Sequence, residues 1–355
     1  MEKTEDLRKL VSKRVISEIK PIEGADFIEV AKVGGWQSVI KKGQFKVGDE
    51  VYYFEIDSFL PETVDAFSFL QKSQKQVNNP NSEEQELVTG HVLRTVKLRG
   101  VVSQGLLLSL DEFPPLANQD EVTEYFKGIG VFKYEKPVPM SHADLYKGAY
   151  PQQLTQKTDS ERVQNLSDEF LQSLNPDEWV ATEKVDGTST TFIKQNGQLR
   201  VCSRNYEYDL DEIRRVLPNH VILTVIDQYN LQDTLPDNFI IKAELVGPKI
   251  QSNPLKLAKN QLIIFDCHDL QTGEVAWDKL PDILHKLTTP TYALTFPTTV
   301  DEAIESVNKI KSLINPKGYA EGVVWWHKNG QTYVETGSRP NFKVISNHYL
   351  VKERD

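Results

Sequence analysis

A lysine and several charged residues in the second half of this 355-residue chain are of the types that chemistry on a phosphate needs. Lys184 opens the tetrapeptide KVDG, which lies at a turn between two strand-like runs. A lysine attacks a phosphate only as the neutral amine, so its pKa of about 10.4 must be lowered by a nearby cation and a partly desolvated pocket. Glu244 and Glu321 can hold such a cation, because Mg²⁺ prefers hard oxygen ligands, and Lys343 can offset charge on the phosphate.

Each of these residues also has an ordinary structural interpretation. A lysine in a turn is usually a solvated charge, and so are glutamates at strand ends such as Glu244 and Glu321. Phe265, inside the apolar run LIIFD, suits a packed core, and Arg204 suits an exposed surface. Taken singly, each of these residues is therefore weak evidence for chemistry.

The elements that hold these residues begin with an all-β region. Runs such as FIEVAKV and DEVYYFEID are rich in β-branched and aromatic residues and are separated by glycines. The pattern resumes in HVLRTVKLRGVVSQGLLLSL, so residues 1–115 are predicted to form a small barrel of the OB type. The polar stretch from Gln71 to Thr89 is predicted to be a solvated loop insertion.

Prolines and glycines interrupt the periodicity after this region. Residues 116–151 are therefore predicted to connect two domains, with a short helix in QDEVTEYF. Residues 152–355 mix strands with helical stretches and are predicted to form the second domain. Its helices are predicted in SDEFLQSL at residues 167–174 and in DEAIESVNKIKSLI at residues 301–314. The predicted fold class is α+β.

Composition limits the classes of protein further. Hydrophobic residues make up 39% and charged residues 26% of the chain, as in globular proteins, and no run approaches the roughly 18–20 apolar residues that span a bilayer. The charged N-terminus lacks the apolar core of a signal peptide. Two cysteines, Cys202 and Cys267, favour an intracellular, reducing setting, cytoplasmic or nucleoplasmic, over a disulfide. A net charge of −10 argues against a broadly basic nucleic-acid surface, although a local cluster can still bind phosphates.

The ordered series resembles the motifs of the covalent nucleotidyltransferase superfamily, which contains ligases and RNA-capping enzymes. The family's first motif, K-x-D-G, is similar to Lys184-Val185-Asp186-Gly187. Counterparts of its later motifs follow in the same order: Ser203-Arg204-Asn205, Glu244 with Gly247, Phe265, Glu321-Gly322 and Lys343. The resemblance implies a C-terminal nucleotidyltransferase (adenylyltransferase) domain built on antiparallel sheets with flanking helices.

The same resemblance implies a covalent Lys184–AMP intermediate, made from ATP with Mg²⁺ or Mn²⁺. The nucleotide-binding residues that it implies are Glu183, Lys184, Asp186, Gly187, Arg204, Glu244, Phe265, Lys343, Lys157, Arg162 and Gln164, with Asn165 as a further candidate. The metal ligands that it implies are Glu244, Glu321 and Asp186. The family's last motif often has two lysines two residues apart, whereas Asn341 stands in the place of the first one here. Arg339 is a candidate to supply the missing charge.

The order of the domains resembles a branch of ATP-dependent RNA ligases in which an OB-like domain comes first. Matching phrases include IEGADFIEVAKVGGWQSVIKKGQFKVGDEVYYFEIDSFLP, TVKLRGVVSQGLLL and KTDSERVQN, and few residues follow Lys343, which leaves no room for a C-terminal OB domain. The resemblance implies joining of 3′-hydroxyl and 5′-phosphate RNA ends at nicks in duplexes, through lysyl-AMP and AMP-RNA intermediates. We expect a monomer without a membrane partner.

Other functions stay open on the sequence alone. The OB region is also similar to tRNA-binding modules appended to synthetases, so a non-catalytic RNA-binding protein is an alternative, although a binder needs no ordered lysines and carboxylates. Domain order disfavours a DNA ligase and a capping guanylyltransferase. Arg94, Lys97 and Arg99 form a basic strand that suits contact with nucleic acid, with Arg94 on the opposite face from the other two.

Overall fold

The computed structural model of the protein describes residues 9–80, 86–135, 144–328 and 339–352. The expectation that the N-terminus is not a signal peptide falls largely on residues 1–8, which lie outside these ranges. No helix in these ranges combines the length and apolar character needed to cross a bilayer. The described residues form two compact units. The first takes in the residues up to 135, Gln164–Ser167 and the chain from Leu350, and the second takes in the remainder.

The first unit is rich in strands, as the alternation in its sequence predicts. Its elements are β1 (Val11–Pro21), β2 (Ile28–Val33), β3 (Trp36–Lys41), β4 (Glu50–Phe54), β5 (Ser58–Pro61), β6 (Gln74–Asn78), β7 (Leu87–Val92), β8 (Val96–Leu98), β9 (Val101–Ser103), β10 (Leu106–Ser109), α1 (Gln119–Gly128) and β11 (Phe132–Lys133). One sheet has the strand order β10-β4-β1-β2-β3, a second has β11-β5-β7-β6, and β8 pairs with β9. Trp36, Tyr53 and Phe54, all from the first sheet, are fully buried in the cores of this unit.

Two features of this unit differ from the predictions. The prediction of a loop insertion from Gln71 to Thr89 is wrong, because β6 and β7 pair within this stretch and bury Val77 against Phe59. A hairpin with one solvated face keeps a polar composition, which hid the strands. Residues 81–85 lie outside the described ranges. The helix predicted in the connector is α1, which packs Phe126 into the core of the first unit, so this unit extends beyond residue 115.

The chain after residue 143 combines two sheets with helices, which confirms the α+β fold class. Its elements are β12 (Tyr146–Ala149), β13 (Glu161–Arg162), α2 (Asp168–Ser173), β14 (Trp179–Lys184), β15 (Thr188–Gln195), β16 (Gln198–Cys202), β17 (Tyr206–Tyr208), α3 (Leu210–Val216), α4 (Val221–Gln228), α5 (Leu231–Thr234), β18 (Phe239–Val246), β19 (Gln261–Asp269), α6 (Asp282–His285), β20 (Thr291–Tyr292), α7 (Val300–Val307), β21 (Gly322–His327), β22 (Asn341–Ile345) and α8 (Asn347–Lys352). The six-stranded sheet has the order β12-β17-β16-β15-β18-β19, and the five-stranded sheet has the order β13-β22-β21-β14-β20. All pairings in both sheets are antiparallel except that of β13 with β22.

The six-stranded sheet packs against helices α3 to α6. Phe192 and Ile241 from this sheet share one core with Ile213 of α3, Ile222 of α4 and Leu284 of α6. The strands are apolar on the helix side, which fits the expected pattern of a sheet covered by helices on that face. The other face of the sheet is therefore available for polar side chains.

Of the two helices predicted here, one is confirmed and one is wrong in its second half. The helix predicted at residues 167–174 is α2. The helix predicted at residues 301–314 ends at Val307, because Lys309 takes a left-handed φ of 60° and Ser312 turns to donate to the buried carboxylate of Glu183. The apolar spacing continues past Val307, so periodicity alone could not show where the helix ends.

Candidate active site

Lys184 is the last residue of β14, and the strand register determines what lies beside it. β14 pairs with β21 so that Lys184 faces Gly322, which puts Glu321 at the same end of the sheet. The Nζ of Lys184 donates to Oε2 of Glu321 at 2.7 Å. The register thus brings together two residues that lie 137 positions apart in the sequence.

Glu244 approaches this pair from β18 of the six-stranded sheet, where it lies opposite Ser189. Burial raises the pKa of Glu244 to about 8; Lys184 lowers it in part, and the charges of Glu321 and Asp186 raise it further. An added cation would favour the charged form of this carboxyl group.

A divalent cation fits these carboxylates when water and phosphate complete its shell. Within the described ranges no three Asp, Glu, His or Cys side chains converge closely enough to hold an ion by themselves. Mg²⁺ is commonly bound by one or two carboxylates together with waters and substrate phosphates. Burial is the main cause of the raised pKa of Glu244, and the charges of Glu321 and Asp186 add to it, so a cation would be favoured among these carboxylates. Glu244 and Glu321 therefore suit such an ion.

The environment of Lys184 favours its charged form. Burial lowers the pKa of Lys184, but the charge and hydrogen bond of Glu321, with the charges of Glu244 and Asp186, raise it to a value above the ordinary one. In this arrangement Lys184 is an ammonium. It must lose a proton before its nitrogen can attack a phosphate.

Gly187 and Asp186 form the turn that follows Lys184. A Cβ at Gly187 would lie 2.4 Å from the carbonyl oxygen of Leu245 and 2.9 Å from Cγ of Glu244, closer than real contacts allow. The glycine therefore lets the turn approach the strand that carries Glu244. Asp186, the third predicted metal ligand, accepts a hydrogen bond of 2.7 Å from the hydroxyl of Tyr349.

Glu183, predicted to bind nucleotide, has structural partners. Its carboxylate accepts from Oγ of Ser312 at 2.5 Å and from the backbone N–H of Leu313 at 2.7 Å. The side chain is buried, with 2% exposure for the residue. In this structure Glu183 fixes the loop after α7 beside the strand that ends in Lys184.

The predicted phosphate-binding cations lie on β13 and the segment before it, on β22, and in the loop between β16 and β17. The Nζ of Lys157 donates to Oδ1 of Asn205 at 2.8 Å. A guanidinium nitrogen of Arg204 donates to Oδ2 of Asp159 at 3.3 Å, and Nζ of Lys343 lies 3.5 Å from Oδ1 of the same carboxylate. Three of the predicted residues are thus gathered in one region.

Phe265 belongs to a stack of aromatic and cationic groups. Its ring is partly exposed and lies 6.2 Å from that of Trp326 at an interplanar angle of 17°. The guanidinium of Arg339 lies 4.3 Å from the centre of the Trp326 ring and donates to the carbonyl oxygen of Phe265 at 3.2 Å. Arg339 is buried in these contacts, so the structure does not support the idea that it replaces the lysine missing at Asn341.

The remaining predicted residues fall in two units. Arg162 is buried on β13 and lies opposite Lys343 on β22. Gln164 and Asn165 group with the first unit. The side chain of Asn165 bonds there to Trp36 at 2.7 Å and to Glu55 at 2.7 Å, which gives it a structural role.

Comparison with known proteins identifies the family. A model of an OB-fold domain matches residues 10–110, and a model of RNA ligases matches residues 177–345. A solved structure of a mutant, apo RNA ligase from Naegleria gruberi is 31% identical, with a TM-score of 0.79 over 99% of this chain and 100% of that chain. This chain belongs to the RNA ligase family. The matches confirm the predicted resemblance and the order of an OB-fold region before the ligase region.

Two further structures of mutant Naegleria RNA ligase contain nucleotides. One, with AMP and manganese, is 31% identical and has a TM-score of 0.77 over 98% of this chain and 99% of that chain. The other, with ATP and manganese, is 29% identical and has a TM-score of 0.76 over the same shares. A search of curated proteins returned no match.

Sequence reasoning missed some residues of this RNA ligase family site. Asp159, Ser312 and Tyr349 were not singled out, although each contacts a predicted residue. Asp159 had a usable signal, because it is an acidic residue between the cations Lys157 and Arg162. Tyr349 and Ser312 had none, since their contacts depend on residues more than a hundred positions away.

Proposed function

We propose that this RNA ligase joins a 3′-hydroxyl end to a 5′-phosphate end of RNA at the expense of ATP, with Lys184 carrying AMP. The observation that carries the proposal is the position of Lys184, whose Nζ lies 2.7 Å from Glu321 in a group that also contains Glu244 and Asp186. The Naegleria RNA ligase structures with ATP and manganese and with AMP and manganese support the choice of nucleotide and ion.

In the first step, Nζ of Lys184 gives up a proton and attacks the α-phosphorus of ATP. An N–P bond forms, and the bond to the leaving pyrophosphate breaks. Lys343 and Arg204, which both contact Asp159, would offset the charge on the phosphate oxygens, and the partly exposed ring of Phe265 would stack on adenine. A divalent ion held by Glu244 and Glu321 would supply further positive charge when bound.

The later steps return Lys184 to its starting state. An oxygen of the RNA 5′-phosphate attacks the phosphorus of AMP, the N–P bond breaks, and Lys184 takes a proton again. The 3′-hydroxyl then attacks the activated 5′-phosphate, a phosphodiester forms, and AMP leaves. Glu321, hydrogen-bonded to Nζ, holds the lysine in place between turnovers.

The finer parts of the proposal concern substrate and setting. We propose that the ends are sealed at a nick held by a complementary strand and that the 3′-hydroxyl side must be RNA. We also propose a monomer that acts in a reducing compartment, cytoplasmic or nucleoplasmic. Cys202 and Cys267 support this, since both are buried free thiols.

The test is labelling of the purified protein with α-³²P-ATP and Mg²⁺ or Mn²⁺. We expect a labelled protein band from ATP and none from GTP. The variant Lys184→Arg keeps a cation beside Glu321 but lacks the nucleophilic amine, so it should fold and take no label. Absence of label in the folded wild-type protein with both metals would refute the proposal, and label from GTP would indicate capping chemistry instead.

A second assay addresses the substrate. Labelled 5′-phosphate strands are supplied in nicked duplexes with either a ribose or a deoxyribose at the 3′-hydroxyl end, and as single strands. We expect sealing of the nicked duplex with the ribose end to be fastest. Equal sealing of the deoxyribose end would contradict the RNA requirement.

A further inference from the structure

Residues 155–162, here called the crossing segment, contact both sheets of the second unit. Near its start, the carbonyl oxygen of Gln156 accepts from Nζ of Lys242 on β18 at 2.9 Å. At its end, Glu161 pairs in parallel with Phe342 on β22. The crossing segment is therefore tied to the six-stranded sheet at one end and to the five-stranded sheet at the other.

Asp159, in the middle of the crossing segment, lies between one cation from each sheet. Its Oδ2 accepts from Arg204 at 3.3 Å, and its Oδ1 lies 3.5 Å from Nζ of Lys343. The side chain of Asp159 is 36% exposed, whereas that of Lys343 is 16% exposed. Partly exposed ion pairs of this kind contribute little to the stability of a fold, so stability does not explain the placement.

We propose that Asp159 is a positioning residue for adenylyl transfer, whose carboxylate holds Arg204 and Lys343 at a spacing from which both can contact one phosphate. This inference rests on the proposed function. A carboxylate presents two oxygens on one atom, as a phosphate does. Two cations that are aligned on the carboxylate are therefore also aligned for a phosphate. Without Asp159 the two like charges repel each other, and two long side chains regain rotamer freedom.

The same carboxylate also competes with phosphate for these cations, and the distances indicate which effect prevails. Charge-assisted hydrogen bonds that are tight measure about 2.7–2.9 Å. The contacts of Asp159 with Arg204 and Lys343, at 3.3 and 3.5 Å, are looser, so phosphate can replace the carboxylate on these two cations at little cost. The gain in phosphate binding from positioning the two cations is therefore larger than the loss from competition by the carboxylate.

The first experiment changes the charge and keeps the shape. Asp159→Asn should raise the KM for ATP in Lys184–AMP formation about tenfold, with a smaller change in kcat and an unchanged melting temperature. Asp159→Glu, which keeps the charge, should show less than half of this increase in KM. Asp177→Asn, at an exposed position, is the matched control and should behave as the wild type.

The second experiment asks whether Asp159 acts through its partner. In a Lys343→Gln background, Asp159→Asn should raise the KM for ATP by less than about threefold, because one of the residues that Asp159 positions is already gone. A full tenfold effect in that background would overturn the proposal, and so would a lower KM in Asp159→Asn, which would show that competition prevails. Wild-type protein that takes no label refutes the proposed function, whereas labelled wild type with an unaffected Asp159→Asn refutes this inference alone.

Discussion

The Nζ of Lys184 and the Oε2 of Glu321 lie 2.7 Å apart because β14 and β21 pair in a register that sets Lys184 against Gly322. A shift of this register by one residue would turn Glu321 to the other face of the sheet. The ion pair therefore depends on the whole length of two buried strands. This dependence explains how a lysine at the end of a strand acquires a fixed position and a raised pKa.

Replacing Glu321 by glutamine should raise the concentration of metal ion that Lys184–AMP formation requires. Glu321→Gln keeps the size of the side chain but removes a hard, charged oxygen ligand, so the Mn²⁺ concentration for half-maximal Lys184–AMP formation should rise about tenfold or more. The measurement is a Mn²⁺ titration of label incorporation. Glu305→Gln, on the exposed side of α7, is the control. An unchanged Mn²⁺ requirement in Glu321→Gln would show that Glu321 serves only as the partner of Lys184.

A methyl group at Gly187 should impair adenylylation. The Cβ of Gly187→Ala would meet the carbonyl oxygen of Leu245 at 2.4 Å, so the turn after Lys184 must move away from β18. Displacement of a reacting group by about 1 Å can cost about a hundredfold in rate, and we expect a loss of that size in label incorporation. Gly148→Ala is the matched control, because its Cβ would have no atom within 4 Å. A wild-type rate in Gly187→Ala would show that the turn tolerates the shift.

The candidate site residues could be predicted from the sequence, whereas most of the residues that contact them could not. Lys184, Glu244 and Glu321, which the structure brings together, were predictable because they match, in order, the motifs of the family that the sequence resembles. The role of Glu183 as an anchor for the loop at Ser312 could not be predicted. It depends on where α7 ends, and the apolar periodicity of the sequence continues past that end at Val307. Chemistry constrains residue types locally, whereas such contacts depend on long-range packing.

The same distinction holds for the fold. Alternation of apolar and polar residues predicts a strand such as β3, which has one buried face, whereas β4 is recognised by a continuous apolar run that is buried on both faces. The hairpin of β6 and β7 was missed since its exposed face gives the stretch a polar composition, and Val77 is the one residue of β6 that is buried. Pairings such as β13 with β22 involve two residues each and leave no periodic pattern to read.

Arg339 should matter for stability and for ATP binding through its contacts with Trp326 and Phe265. Arg339→Lys removes a planar group that stacks on Trp326 and bonds to the carbonyl oxygen of Phe265. We expect the free energy of unfolding to fall by about 2 kcal/mol, from one charged hydrogen bond and part of a cation–π contact. Urea unfolding gives this value, and labelling at varied ATP should show a raised KM. Arg215→Lys, an exposed arginine, is the control; equal stability of the two variants would contradict this role.

His268 should make the protein less stable in mild acid. Burial lowers the pKa of His268 from 6.5 to about 4, so the folded protein keeps the ring neutral while the unfolded chain takes up a proton below about pH 6.5. The unfolded state therefore binds more protons between these values. The free energy of unfolding falls as the pH drops from about 6.5 to about 4, by up to about 3 kcal/mol from this group, and does not depend on it above pH 7.

Urea unfolding at pH 7.5, 6.5, 5.5 and 4.5 tests this expectation when the wild type is compared with His268→Gln. The variant loses the contact with Oγ1 of Thr155 but has no proton to take up, so its stability should fall less steeply over the acid range. His285→Gln, at an exposed position, should keep the wild-type slope. Parallel curves for the wild type and His268→Gln would show that His268 is not held neutral by the fold, and the acid sensitivity would then belong to the carboxylates.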